Sequence, residues 1–132
     1  MKSAHRQLVE QFFDQFCAGN VDEVMSMVTD DIDWQMMGQH GGLPVSGHMD
    51  KQGIQGLMQT VADATYGLSV TYNGWTIEGN RVALEMESNA DLKNGRHYHN
   101  LYHYLIIVEG QKLKQIKEYA DTDEVRRVFL DP

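Results

Sequence analysis

Asn94-Gly95 stands between two long runs of alternating strand-forming residues, and no other pair in the chain restricts the fold as much. A type I′ hairpin turn needs positive φ at both central positions, which Asn-Gly accommodates best. With these two residues as the turn, Glu85 faces Tyr104, Glu87 faces Tyr102 and Asn89 faces Asn100. A second turn at Gly110-Gln111 sets Tyr104 beside Lys117, Tyr102 beside Tyr119 and Asn100 beside Asp121. Opposed residues share a face and successive side chains alternate. One face of a three-stranded meander from Val82 to Asp121 is therefore expected to carry Glu85, Glu87, Asn89, Asn100, Tyr102, Tyr104, Lys117, Tyr119 and Asp121. The other carries Leu84, Met86, Ser88, Leu101, His103, Leu105, Ile116, Glu118 and Ala120. A slip of one residue in either pairing would exchange the faces of the affected strand.

The chain before the meander begins with helical spacing. Ser3 is placed to cap a first helix with Leu8, Val9, Phe12, Phe13 and Phe16 on one side, ended by Gly19-Asn20. Val21 to Val28 reads as a short second helix, broken by Thr29-Asp30-Asp31, and Ile32 to Met36 alternates as a strand. Gly38 to Gly47 is a glycine-rich loop, and Asp50 caps a third helix from Lys51 to about Ala64. From Leu68 the period changes to two, with a bulge expected at Asn73-Gly74 where the phase switches. Gly79-Asn80 turns the chain into the meander, and Asp121 to Glu124 starts a last short helix reaching Leu130. Three helices with one strand among them, then four consecutive antiparallel strands, make an α+β domain with helices on one side of a bent sheet.

At 132 residues the chain suits a single domain, residues 1–132, able to bury a core without staples. The formal net charge of −8 and the lack of a basic run argue against nucleic acid or an anionic membrane as a partner. No apolar run approaches membrane-spanning length, there is no apolar leader, and a cytoplasmic location is expected. The single cysteine, Cys17, falls on the first helix as a small apolar residue. Leu101 to Val108 is apolar or aromatic at nearly every position, so this strand is expected to be covered on both faces. Helices cover one. A second copy of the chain covering Leu101, Leu105 and Ile107 with Leu84, Met86 and Ile116 is the expected cover for the other, giving a homodimer through the sheet.

This order of elements resembles the nuclear transport factor 2-like superfamily, closest to its SnoaL-like, ketosteroid-isomerase-related group. The motifs are Asp30-Asp31-Ile32-Asp33-Trp34, Gly47, Gly53-Ile54, the run Tyr98 to Tyr104, and Ile116-Lys117-Glu118-Tyr119-Ala120-Asp121-Thr122. The resemblance covers essentially the whole chain. It implies a cone-shaped curved antiparallel sheet wrapped over three N-terminal helices, with a short C-terminal helix and a pocket on the concave side. It also implies that the Tyr102, Tyr104, Tyr119 and Asp121 face lines that pocket and that the apolar face is the convex, dimerising one. Such folds host isomerases, hydrolases, dehydratases, cyclases and non-catalytic binding domains. The chain departs from ketosteroid isomerase in having Phe12, Phe13 and Phe16 but no tyrosine on the first helix, and no carboxylate directly after Trp34. SnoaL-like cyclases are similar in carrying an acid at the end of the last strand, where Asp121 stands.

The expected chemistry is acid–base work on a largely apolar or aromatic small molecule, with no cofactor and no metal. Asp121 is a candidate proton-abstracting carboxylate, and equally the cap of the last helix. Glu87 with the Tyr102 hydroxyl forms a candidate acid/base and donor set, with Tyr119 beside it. Glu85 is expected to pair with Lys117 across Tyr104. Asn100, Tyr104, Tyr119 and Glu85 complete the candidate binding face. Trp34 is an aromatic pocket wall or plain core, and His40 and His48 flank the glycine-rich loop, solvated or as part of a lid. His97, His99 and His103 share a strand face without a carboxylate at ligand spacing. The alternative function is a non-catalytic ligand-binding or dimerisation domain of the same fold.

Overall fold

A computed structural model describes residues 2–38 and 46–132. His40 and most of the glycine-rich loop lie outside the described residues. The elements run α1 (Ala4–Cys17), α2 (Val21–Ser26), β1 (Val28–Met36), β2 (Gly47–Met49), α3 (Lys51–Ala64), β3 (Thr65–Glu78), β4 (Arg81–Leu92), β5 (His97–Glu109), β6 (Lys112–Ala120) and α4 (Thr122–Val125), which widens into a π-type turn through Leu130. The strands form one curved, open sheet in the order β2-β1-β6-β5-β4-β3. All neighbours are antiparallel except β1 and β6, which run parallel. This is the mixed α+β architecture expected, with β1 folded back against the last strand.

The capping residues act as their positions require. Ser3 Oγ accepts from Arg6 N at 3.1 Å, and Asp50 Oδ1 accepts from Gly53 N at 2.8 Å. Val9, Phe12, Phe13 and Phe16 are buried on one side of α1, as their helical spacing dictates. Phe12 and Phe16 pack on Trp34 at ring separations of 6.0 and 5.6 Å, and Phe13 packs on Tyr104 at 5.0 Å. The bulge at Asn73 is present, the pairing shifting between Tyr72 and Gly74. Thr29-Asp30-Asp31 does not break the chain. It lies inside β1, which starts at Val28.

The register of the meander differs from the two-residue turn expected at Asn94-Gly95. The loop holds three residues, Lys93, Asn94 and Gly95, between Leu92 and Arg96. Gly95 N donates to Leu92 O at 3.0 Å and Leu92 N to Arg96 O at 2.8 Å. Gly95 has φ of +88°. A three-residue loop closed by a left-handed glycine is a usual hairpin connection. It pairs Leu84 with Tyr104, Met86 with Tyr102 and Ser88 with Asn100. The Gly110-Gln111 turn forms as expected, with Glu109 facing Lys112, but a bulge after Ile107 shifts the rest of the pairing. Tyr104 then lies beside Glu118 and Tyr102 beside Ala120.

Strand β5 thus keeps its expected face, while both of its neighbours turn over. The core side carries Leu84, Met86, Ser88, Tyr98, Asn100, Tyr102, Tyr104, Ile116 and Glu118. The outer side carries Glu85, Glu87, Leu101, His103, Leu105, Ile107, Lys117 and Tyr119. Leu84 and Ile116 are fully buried and Met86 nearly so, which corrects their assignment to an exposed apolar patch. Among the described residues no helix is long and apolar enough to cross a membrane.

Candidate functional site

Between α1, α3 and the concave side of the sheet lies a cavity of about 340 Å³. Phe13, Phe16 and Cys17 of α1, Leu57 and Val61 of α3, and Val70 and Met86 of the sheet supply apolar wall. The C-terminal segment adds Val125, Phe129 and Leu130. Phe129 is held in place by an edge contact with Tyr98 at 4.8 Å.

Among the described residues, one carboxylate faces this space. Glu118 shares its strand phase with Ile116, a core residue, so the alternation that buries one turns the other inward. Trp34 Nε1 donates to Glu118 Oε1 at 3.2 Å and the Tyr104 hydroxyl donates to the same oxygen at 3.0 Å. Burial raises the Glu118 carboxyl from its ordinary 4.5 to about 7, the two hydrogen bonds pulling the other way. A carboxylate with that titration range exchanges a proton near neutral pH. Oε2 has no hydrogen-bond partner among the described residues. Trp34 is therefore core and cavity wall together: it is 2% exposed, packed at a tilt against Phe12 and Phe16 of α1, and holds the acid.

The second polar group of the cavity is a chain of hydroxyls. Ser88 Oγ lies 2.8 Å from the Tyr102 hydroxyl, which lies 2.9 Å from the Tyr98 hydroxyl. Asn100 Nδ2 donates to Tyr98 at 2.7 Å. The rings of Tyr102 and Tyr104 stack at 5.4 Å, which brings the chain and the acid into one wall. Burial pushes the phenols of Tyr102 and Tyr104 well above their usual range and that of Tyr98 to about 12, so all three stay protonated as donors.

The expected site residues divide accordingly. Tyr102, Tyr104 and Trp34 line the cavity. Asn100 is buried on the same side but behind Tyr98, its amide spent on protein partners. Glu87, expected to face the hollow, is on the outer face because β4 is turned over. Its carboxylate accepts from Asn73 Nδ2 at 2.9 Å and lies 3.1 Å from His99 Nε2, and the Asn73 and His99 contacts lower its pKa. Glu85 is exposed on that face opposite His103, and no ion pair with Lys117 forms. Tyr119 is 45% exposed on the outer side of β6. Asp121 is exposed and caps α4, its Oδ1 accepting from Asp123 N at 3.1 Å and Glu124 N at 3.3 Å. His48 is bound to Asp33 at 2.8 Å.

Glu118 was missed although a signal existed. Leu113, Ile116 and Val108 must be core by composition, and Glu118 follows Ile116 by two. Only the assumed pairing with Tyr119 concealed it.

The sequence from residue 9 to residue 116 matches the model of the SnoaL-like domain. The chain belongs to the SnoaL-like family. Its fold is similar to that of an NTF2-like protein from Burkholderia xenovorans LB400, at 22% identity and a TM-score of 0.76 over 95% of each chain. An NTF2-like protein from Burkholderia pseudomallei K96243 gives 14% identity and a TM-score of 0.84, over 98% of the SnoaL-like chain and all of the other. A protein of ketosteroid isomerase-like fold from Catenulispora acidiphila DSM 44928, in complex with trimethylamine, gives 13% and 0.78, over 95% and 93%. At these identities the likeness concerns the fold. No curated protein matches the sequence.

Proposed function

We propose that this SnoaL-like domain is an acid–base enzyme of isomerase, cyclase or hydratase/hydrolase type, acting on a largely apolar small molecule. Glu118 transfers the proton, with Tyr104 and Trp34 setting its basicity and the Ser88 end of the hydroxyl chain stabilising negative charge. The observation that carries this reading is a carboxyl at about 7 facing an apolar cavity with one oxygen unused. Such a group takes a proton from carbon next to a carbonyl and returns it elsewhere, or takes one from an attacking water. Hydroxyl donors fixed in a cavity with apolar walls then offset the charge that develops on substrate oxygen. Family membership supports proton-transfer chemistry without selecting the reaction.

Incubation with a cell metabolite extract, read by mass spectrometry, tests the proposal. Conversion of one apolar metabolite by the native chain and its loss in Glu118→Gln is the expected result. Retention of a ligand without conversion, unchanged in Glu118→Gln, would instead establish a binding domain, a reading favoured by the trimethylamine held by the Catenulispora relative. The outer sheet face bears on assembly: Leu101 is 59% and Tyr119 45% exposed there, beside half-buried Leu105 and Ile107. A pair of chains meeting across this face is the proposed assembly.

A further inference from the structure

The orientation of the Asn100 amide is determined by its surroundings. Its Oδ1 accepts from Leu101 N at 2.7 Å and Asp121 N at 3.0 Å, while its Nδ2 donates to Asp121 O at 3.1 Å and Tyr98 at 2.7 Å. Two acceptor sites and two donors are all an amide has, and all four are used at a residue 1% exposed. Rotating the amide by half a turn would set its NH₂ against two backbone N–H groups and its oxygen against a carbonyl. The Tyr98 hydroxyl must therefore accept from Asn100.

A phenol that accepts on its oxygen has its own proton left to give. For Tyr98 the remaining partner is the Tyr102 hydroxyl, and for Tyr102 it is Ser88 Oγ. Each bond made in this sense strengthens the next. Three hydroxyls joined by two bonds, with Asn100 donating to the first, have one proton left over, and in this sense it is that of Ser88. The hydrogen bonds run from Asn100 through Tyr98 and Tyr102 to Ser88. Ser88 lines the cavity and makes no other side-chain hydrogen bond among the described residues. Its proton is the one the chain presents to a ligand.

We infer that Asn100 is a positioning residue that fixes the direction of this hydroxyl chain, so that the Ser88–Tyr102 wall recognises hydrogen-bond acceptors on a ligand. A carbonyl, an ether oxygen or an enolate gains a hydrogen bond from the Ser88 proton; a group with only an N–H to give gains none from it. The inference rests on the cavity being the small-molecule site proposed above.

Three bicyclic probes of matching size separate the possibilities: 1-indanone offers only an acceptor, indole only a donor, and indane neither. Calorimetric affinities are compared between the native chain and Asn100→Asp, whose second oxygen accepts from Tyr98 and so reverses the chain. The ratio of 1-indanone to indole affinity is expected to fall about tenfold in Asn100→Asp, with indane unchanged. The carbonyl stretch of bound 1-indanone, shifted down by the Ser88 proton in the native chain, is expected to return toward its aprotic-solvent position. Ser88→Ala removes the Ser88 donor without adding a buried charge and leaves the Tyr102 proton as the displaced end of the chain. It is expected to weaken 1-indanone about tenfold relative to indane and leave indole alone, so the inference stays testable if Asn100→Asp does not fold. Binding of all three probes with ratios and carbonyl stretch unaltered by the variants would overturn the role of Asn100 and leave the small-molecule site standing. Binding of none by the native chain would overturn both.

Discussion

Glu118→Gln tests the cavity acid through stability alone, with no need of a substrate. Glutamine keeps an oxygen to accept from Trp34 and Tyr104 and is nearly the same size, but it cannot ionise. In the unfolded native chain Glu118 gives up its proton near its ordinary 4.5, and in the folded chain only near 7. Between those values the folded state binds more protons than the unfolded state, so this group makes stability fall as pH rises. Below about 4.5 both states are protonated and the group contributes nothing to the slope. Above about 7 the whole penalty is in force. A difference of about 2.5 units at 1.36 kcal/mol each gives a penalty of about 3 kcal/mol. Urea unfolding of both proteins from about pH 4 to pH 8.5 measures it, and every other titrating group cancels in the difference. Glu118→Gln should gain on the native chain by about 3 kcal/mol across this range, most of it between about pH 5 and pH 7. A difference that stays flat with pH would refute the reasoning, for it would mean that Glu118 ionises as freely folded as unfolded.

Tyr104→Phe keeps the ring contact with Phe13 and removes one donor to Glu118 Oε1. The Glu118 midpoint should then rise by about one unit, as read by carbon NMR of the labelled carboxyl. Asp121→Ala removes the cap of α4 and should cost about 1 kcal/mol in urea unfolding without moving that midpoint. Gly95→Ala meets no atom within 4 Å, so its cost of about 1–2 kcal/mol should come from the left-handed φ of +88° alone. Leu101→Asp places a charge in the exposed apolar patch; if the proposed pair forms in the native chain, light scattering should show this variant as a single chain, with circular dichroism unchanged.

Much of the fold was legible because it rests on local rules. Ser3 and Asp50 cap helices from where they stand, the α1 phenylalanines recur at helical spacing, and Asn73 marks a bulge by the phase change around it. The inward face of β5 was legible too, since Tyr98, Asn100, Tyr102 and Tyr104 alternate with Ile106 and Val108 in one phase. What sequence did not settle was the pairing of that strand with its neighbours. Asn94-Gly95 suits a two-residue type I′ loop and also the last positions of a three-residue loop, and the bulge after Ile107 has no glycine to announce it.

Each change is one residue, and side chains alternate with a period of two, so each turned a whole strand over. The acids followed. Glu85 and Glu87 went to the outside with β4, and Glu118 came in with β6, so the carboxylate in the hollow is one the alternation of β6 conceals until its register is known. Composition and spacing determined that there would be helices over a curved sheet, with an aromatic strand at its centre. Long-range packing decided which acid that strand meets: burying Leu84, Met86 and Ile116 against α1 and α3 outweighs the preference of any turn, and Glu118 is carried inside with them.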